Sequence, residues 1–307
     1  MSLHRLAAVT IGAPDPDPLL GYYREFGLQP GPGSTLSTLD GGRQLSVEEA
    51  PTRRLVEMVV EVDDGEDLAR AHATLVARGH RPELDGDRLI VTEPVTGVRV
   101  VLVIAARLAT PTVDRPPANG PGRSERLAQR APAVLRDGAV RPRKLGHVVV
   151  TTTDFAASAR FFGDLSFQVS DYIGKIGVFF RCSPDHHNLL LLEAPAVYLH
   201  HTAWQVDDVD EVGRGAHAML EEHPERHVWG LGRHHAGSNF FWYLQDPAGN
   251  YSEYYADLDV IPEEAPWSPE AHSGSLGLYS WGPVPPPKFL QPEDLADLIA
   301  LRPPTEL

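Results

Sequence analysis

Histidines are concentrated in the second half of this chain of 307 residues, where eleven of the 14 follow position 143. Two of them, His147 and His201, lie on predicted strands, each a few residues before an aspartate that begins a helical segment. Glu253 lies on a third predicted strand, within Tyr-Ser-Glu-Tyr, where the alternation favours an apolar residue. Two imidazoles and one carboxylate can occupy one face of an octahedral metal ion and leave the opposite face open. This set of donors suits non-haem Fe(II), and because Zn(II) accepts the same ligands, the three residues alone leave the metal open.

The elements that must position these residues form a repeat. A strand leading into a helix occurs four times, and the strands are RLAAVTI, RLVEMVVEV, KLGHVVVTTT and YLHHTAWQV. About three further strands follow each helix, with turn signals such as DPAG between them. We therefore predict an α+β protein built from tandem βαβββ modules, two in each of two domains.

A segment of different composition separates the two pairs of modules. Residues 111–143 contain six prolines and seven arginines and show little apolar periodicity, which is typical of a linker. We predict an amino-terminal domain at 1–110, this linker, a metal-binding domain at 144–260 and a carboxyl-terminal tail at 261–307.

The two halves align at the junctions between strand and aspartate. Opposite His147, His201 and Glu253, this alignment places Ala8, Glu57 and Val101. Since alanine and valine offer no ligand atoms, we expect the amino-terminal half to hold no metal.

Composition excludes several classes of protein. The 42% hydrophobic content is that of an ordinary globular chain, and no run approaches the ~18 apolar residues of a membrane span. The start of the chain lacks a secretory signal pattern, so we expect a cytoplasmic protein. A net charge of −15 argues against nucleic acid as a partner. The single cysteine, Cys182, rules out an internal disulfide and a thiolate zinc site.

Several segments resemble one enzyme family. They are LGHVVV, LHHTAWQV, GRHHAGSNFFWYLQDPAGNYSEYY and WGPVPPP, and they are similar to the type I extradiol ring-cleavage dioxygenases of the vicinal oxygen chelate superfamily. The order GRH, SN and DPAGN most resembles the homoprotocatechuate 2,3-dioxygenase type. The resemblance covers the carboxyl-terminal half throughout and the amino-terminal half only in its repeats. It implies that the paired modules of each domain form an open, mixed-sheet barrel.

The resemblance also implies roles for individual residues. It makes His147, His201 and Glu253 the metal ligands, and it makes Fe(II) the metal, with Mn(II) as the alternative. By spacing, His187 rather than His186 falls on the acid/base histidine of the family, and Tyr243 falls on its active-site tyrosine. The predicted substrate-binding residues are His234, its neighbour Arg233, and Trp281 in the tail.

The implied reaction is ring cleavage adjacent to the diol of a catechol, with insertion of both atoms of O2. The partners are then a catecholic substrate and O2, and we expect a homo-oligomer, either a dimer or a tetramer. In the homoprotocatechuate-type enzymes a similar tail covers the active site and carries arginines that meet the substrate carboxylate. Because no arginine lies between Ser268 and Leu301, we predict a neutral or apolar substituted catechol.

Two other functions use the same fold. One is a glyoxalase-like, metal-dependent lyase or isomerase, which needs a further carboxylate as base. The other is a metal-free protein that binds or sequesters small molecules, and the histidine content of the second half argues against it. Metal analysis and oxygen uptake with a catechol separate the three functions.

Overall fold

The computed structural model describes residues 3–301, so the outermost parts of the predicted amino-terminal domain and tail, residues 1–2 and 302–307, lie outside the described residues. The first unit consists of β1 (Leu3–Ala13), α1 (Pro16–Glu25), β2 (Gln29–Pro30), β3 (Thr35–Thr38) and β4 (Gly42–Glu49). The second consists of β5 (Arg54–Val62), α2 (Gly65–Ala77), β6 (Glu83–Asp85), β7 (Arg88–Thr92) and β8 (Arg99–Ile104). The segment that follows holds β9 (Asn119–Gly120), β10 (Arg123–Ser124) and a 3-10 turn at Pro132–Leu135.

The second half repeats the same order. Its first unit consists of β11 (Lys144–Thr152), α3 (Phe155–Asp164), β12 (Gln168–Ile173), β13 (Gly177–Arg181) and β14 (Leu189–Glu193). Its second consists of β15 (Leu199–Gln205), α4 (Val209–Leu220), a 3-10 turn at Pro224–Arg226, β16 (His227–Arg233), β17 (Phe240–Gln245) and β18 (Tyr251–Ala256). The tail adds β19 (Ala271–His272), 3-10 turns at Gly274–Gly277 and Pro287–Phe289, and α5 (Leu295–Ala300). The predicted α+β class with tandem βαβββ modules is confirmed.

Each pair of units forms one mixed sheet with two edges. The strand orders are β2-β3-β4-β1-β5-β8-β7-β6 and β16-β17-β18-β15-β11-β14-β13-β12-β19. The first strands of the two units lie side by side and antiparallel at the centre of each sheet. No helix within residues 3–301 is long and apolar enough to span a membrane.

The strand registers of the two halves agree with the alignment made from the sequence. In the second sheet the partners are His147 and Ala203, Val149 and His201, and Ala203 and Glu253. In the first sheet they are Ala8 and Val59, Thr10 and Glu57, and Val59 and Val101. The residues at the three ligand positions therefore occupy equivalent places in both sheets.

Aspartates begin the four long helices by accepting backbone N–H groups at their first turns, and they are Asp15, Asp64, Asp154 and Asp208. Each cap closely follows a central strand, so it fixes where the chain leaves the sheet. This explains why the strand-to-aspartate junctions align the units correctly.

The strand β16 was not predicted from the sequence. Its two glycines, Gly230 and Gly232, interrupt the apolar alternation, and its pairing with β17 shifts register twice. A Cβ atom at Gly232 would collide with the ring of Phe241. Glycine is therefore required at position 232 because the Phe241 ring lies so close. The same glycine interrupts the apolar alternation, so the strand is not recognised from the sequence.

Helix α1 packs against the outer faces of the strands that carry the candidate ligands. The ring of Phe26 stacks on Tyr254 with centroids 3.7 Å apart and an angle of 2° between the planes. The hydroxyl of Tyr23 lies 2.9 Å from Oγ1 of Thr202. The amino-terminal half therefore packs against the face of β15 and β18 that is opposite the candidate ligands.

Candidate metal centre

Three adjacent strands bring His147, His201 and Glu253 together. The residues lie on β11, β15 and β18, all three are buried, and one donor atom from each lies within 4.8 Å of the others. Oε2 of Glu253 is 3.1 Å from Nε2 of His147 and 3.4 Å from Nε2 of His201. The side chains converge because the strand register places their alternating positions on the same face of the sheet.

This cluster fits a divalent metal ion. Nε2 of His201 is buried and has no hydrogen-bond partner, which is costly for a polar atom unless another group coordinates it. The carboxylate of Glu253 is buried beside it and supplies negative charge. Two nitrogen donors and one carboxylate oxygen are the set expected for Fe(II), Mn(II) or Zn(II).

Electrostatics keep these groups in the forms that bind metals. Burial acts to raise the pKa of Glu253, but the neighbouring imidazoles of His147, His201 and His234 hold that pKa well below its usual value. Burial lowers the pKa of His201 to about 4, although Glu253 partly opposes this effect. The site therefore presents an ionised carboxylate and a neutral imidazole at neutral pH.

A cavity of about 410 Å³ opens above the cluster. Its walls are largely apolar and include Val149, Phe179, Leu190 and Leu192 from the second sheet. Residues of the tail, among them Gly277, Leu278, Phe289 and Leu290, line the same space. The tail thus covers the cavity, and the open side of the candidate ligands faces a space suited to an apolar ligand.

His187 lies in the wall of this cavity, and His186 does not. The ring centroid of His187 is 4.1 Å from that of His147, while Nε2 of His186 lies 3.1 Å from Asp171 on the far side. Burial, with a smaller contribution from His147, lowers the pKa of His187 well below its usual value. The ring is therefore neutral at pH 7.

Tyr243 and His234 form a connected pair on the opposite wall. Nδ1 of His234 donates a short hydrogen bond to the carbonyl of Leu278 in the tail, so its Nε2 accepts from the hydroxyl of Tyr243, 2.9 Å away. Nε2 of His234 also lies 3.7 Å from Glu253. Burial and the charge of Glu253 raise the pKa of Tyr243 well above its usual value, which keeps the phenol protonated.

Arg233 and Trp281 are not brought into the cavity. Nη2 of Arg233 donates to Asp257 at 2.6 Å, and its guanidinium lies 4.3 Å from the ring centroid of Phe240. Trp281 is 48% exposed, and its backbone carbonyl accepts from the N–H of Arg233. Both side chains face outward because β16 ends at Arg233, where its bridge to Trp281 turns them toward the surface.

Two neighbours of the cluster were not predicted from the sequence. Nδ2 of Asn239 donates to Oε1 of Glu253 at 3.1 Å, so the amide orients the carboxylate. His200 links His201 to the tail, since its Nδ1 lies 2.7 Å from Nδ1 of His201 and its Nε2 donates to the carbonyl of Phe289 at 2.6 Å. The Ser-Asn pair after Gly237 and the doubled histidine were the available signals.

Fold and site together define a protein of paired βαβββ modules with a candidate metal centre in its second half. Residues 144–254 match the model of the Glyoxalase/Bleomycin resistance protein/Dioxygenase superfamily. This match lies within the carboxyl-terminal half of the chain and includes all three candidate ligands.

Known proteins are similar to this chain over different shares of its length. Metapyrocatechase 2 of Cupriavidus necator is 38% identical over 164 residues, which are 52% of this chain and 51% of that protein. The chain thus matches about half the length of this curated relative. A Mn(II)-bound glyoxalase from Novosphingobium aromaticivorans superposes with a TM-score of 0.72 at 23% identity, covering 94% of each chain. A variant of homoprotocatechuate 2,3-dioxygenase from B. fuscum superposes with a TM-score of 0.73 at 18% identity, covering 94% of this chain and 81% of that one. The two solved structures show that the fold is shared.

Proposed function

We propose that this protein is an extradiol dioxygenase with Fe(II) at the site formed by His147, His201 and Glu253, and with Mn(II) as the alternative metal. The observation that carries the proposal is a buried set of two histidines and one carboxylate whose open side faces an apolar cavity. The similarity to metapyrocatechase 2 over 164 residues supports it. We extend the proposal to a homo-oligomer, a dimer or a tetramer, which the sequence predicts.

The reaction breaks one ring C–C bond next to the diol and places both atoms of O2 in the product. The catechol supplies all the electrons, so no external reductant is needed. When bound, the metal would supply Lewis acidity to the two phenolic oxygens and would mediate electron transfer from the catechol to O2.

The protein's own residues handle the protons and the charge. His187 is neutral and faces the cavity, so it can take a proton from a phenolic hydroxyl and return it later in the reaction. The hydroxyl of Tyr243 stays protonated, and by exchanging its hydrogen bond to His234 for one to substrate it can donate its single proton to an oxygen that gains charge when the ring is attacked. His234 holds Tyr243 in place from the tail side of the cavity.

The cavity favours a substituted catechol with a neutral or apolar side chain. A volume of about 410 Å³ exceeds what the catechol ring alone needs, and aliphatic and aromatic side chains supply much of the wall. Arg233, the arginine predicted to contact substrate, lies outside this space and is paired with Asp257. Lys175 is the one lysine among the described lining residues, so a substrate carboxylate would lose its hydration there without gaining an arginine partner.

Anaerobic reconstitution with Fe(II), followed by oxygen-electrode assays against a panel of catechols, tests the proposal. We expect oxygen uptake coupled to a coloured semialdehyde or its ketone equivalent, the products of cleavage adjacent to the diol. A muconate-type diacid would contradict the proposal, because it results from cleavage between the hydroxyls.

The same assays separate the two alternatives. A lyase or isomerase would retain metal without consuming oxygen, and it would need a second carboxylate in the cavity. Among the lining residues within 3–301 there is no aspartate or glutamate, so the described part of the chain offers this alternative no carboxylate base. A metal-free binding protein would fail to bind Fe(II) stoichiometrically.

A further inference from the structure

A buried chain of hydrogen bonds leads from β12 to the back of His187. Oδ2 of Asp171, a residue only 4% exposed, lies 3.1 Å from Nε2 of His186. Nδ1 of His186 in turn lies 3.1 Å from Nδ1 of His187, whose ring lines the cavity. His186 itself is fully buried, so bulk water cannot replace either partner. The three side chains therefore form one connected unit.

The donors and acceptors along this chain follow from its carboxylate end. An ionised carboxylate only accepts hydrogen bonds, so Nε2 of His186 must donate to Asp171. The neutral form of the His186 imidazole has one donor and one acceptor, so in that form Nδ1 of His186 is the acceptor. The hydrogen bond between the two Nδ1 atoms consequently takes its proton from His187. This leaves Nε2 of His187 with a lone pair.

The tail fixes the orientation of the carboxylate. Oδ1 of Asp171 accepts the backbone N–H of Glu270 at 2.8 Å, and Oδ2 accepts a second hydrogen bond from Nε2 of His272 at 3.1 Å. The indole of Trp267 donates to the carbonyl of Ser170 next to it. The two carboxylate oxygens of Asp171 thus accept from different donors. Rotation of the carboxylate would break the hydrogen bonds to both oxygens.

We propose that Asp171 and His186 are positioning residues that hold His187 in the tautomer with a proton on Nδ1 and an unprotonated Nε2 directed at the cavity. Within residues 3–301 the only hydrogen bond of the His187 ring is the one to His186, so Nε2 remains available to a ligand. The importance of this tautomer for catalysis rests on the proposed function, because a base needs its lone pair facing the proton it takes. The tautomer itself can be measured without substrate.

The variant Asp171→Asn gives the sharpest test. An amide nitrogen cannot accept the N–H of Glu270, so the side-chain carbonyl keeps that partner and the NH2 group faces His186. Nε2 of His186 must then accept, its Nδ1 donates, and His187 becomes protonated on Nε2. The substitution is therefore expected to invert the tautomer of His187 without changing its position.

The tautomer is read by long-range ¹H–¹⁵N correlation of ¹⁵N-histidine-labelled, full-length protein loaded with Zn(II), which is diamagnetic and accepts the same ligands. The spectrum of His187→Phe assigns the His187 signals. We expect protonated Nδ1 in the wild type and protonated Nε2 in Asp171→Asn. Asp259→Asn is the matched control, since the Asp259 side chain accepts from Ser238 at 2.8 Å. This variant should give the wild-type tautomer.

Either of two results would overturn the inference: protonated Nε2 in the wild type, or the same tautomer in wild type and Asp171→Asn. If Asp171→Asn does not fold, His186→Phe replaces it, because the aromatic rings of Phe179 and Trp267 surround that position. His187 would then lose its acceptor and show both tautomers. A single Nδ1-protonated form in this variant would also refute the inference.

Activity of the Fe(II)-loaded protein provides the second readout. With 4-methylcatechol, Asp171→Asn should lower kcat by roughly 10–100-fold, the usual effect of removing a group that orients a functional histidine, and change KM little. An unchanged kcat alongside an inverted tautomer would refute the importance of this tautomer for catalysis. If the wild type itself consumes no oxygen with any catechol, the proposed function fails, whereas the tautomer measurement still decides the structural claim.

Discussion

The variant His187→Phe separates acid/base chemistry from metal binding. The ring of His187 packs 4.1 Å from that of His147 and 4.9 Å from that of Phe179, measured between centroids. A phenyl ring of similar size fits these contacts, so we expect the metal ligands to stay in place. What the substitution removes is the nitrogen that faces the cavity and the hydrogen bond to His186.

The expected magnitudes follow from these two losses. Losing a positioned acid/base group slows turnover by roughly 10²–10⁴, which corresponds to about 3–5 kcal/mol in the activation barrier. Leaving Nδ1 of the buried His186 without its partner costs about 1–3 kcal/mol in the free energy of unfolding. We therefore expect a large kinetic defect with a modest loss of stability.

The assay measures kcat with the oxygen electrode at saturating 4-methylcatechol, iron content by metal analysis, and the free energy of unfolding in denaturant. His217→Phe, at an exposed position of α4, is the matched control and should behave as wild type. Retention of iron with less than a threefold fall in kcat would refute the acid/base role. Loss of iron would show that His187 belongs to the metal site.

Three further predictions concern the metal, the substrate and the packing. Protein purified without added zinc should bind one metal ion per chain. The double variant His147→Ala/Glu253→Ala should lose it, and Glu57→Ala in the equivalent amino-terminal position should not. A stoichiometry near two would refute this assignment. The specificity constant for 4-methylcatechol should exceed that for homoprotocatechuate, and Arg233→Ala should leave the ratio unchanged because its side chain lies outside the cavity. A clear preference for the acid would contradict the apolar-cavity argument. Phe26→Ala should cost about 3–5 kcal/mol in the free energy of unfolding, since the ring is fully buried and stacked. A loss below 1 kcal/mol in chemical denaturation would show that this contact does not support the second half.

The repeat and the positions of the three candidate ligands could be predicted from the sequence because both depend on local signals. Aspartate caps mark where each central strand gives way to a helix, and strand alternation then decides which side chains share a face. The choice of His187 over His186 could not come from alternation alone, since adjacent residues on a strand face opposite ways. It came from family spacing, and the structure places His187 in the cavity wall.

Features that depend on irregular or distant pairing could not be predicted. Arg233 and Trp281 were expected to contact substrate, but a bridge between the end of β16 and the tail turns them outward. Asp171 gave no signal in the sequence because its partners lie 15 and about a hundred residues away. Such contacts depend on how the tail pairs with β12, which no local pattern records.

The amino-terminal half lacks counterparts of His147 and His201. The duplicated fold explains how this half can still shape the candidate metal centre. Thr202 and Ser252 are the sequence neighbours of His201 and Glu253, so strand alternation turns them to the opposite face. Two tyrosine hydroxyls of α1 lie 2.9 and 2.5 Å from these residues, and the pairs are buried. Helix α1 thus holds β15 and β18 at fixed positions from the side away from the cavity. Since donor geometry in a metal site is set by the spacing of the strands that carry it, the amino-terminal half acts on the site through packing and not through ligands.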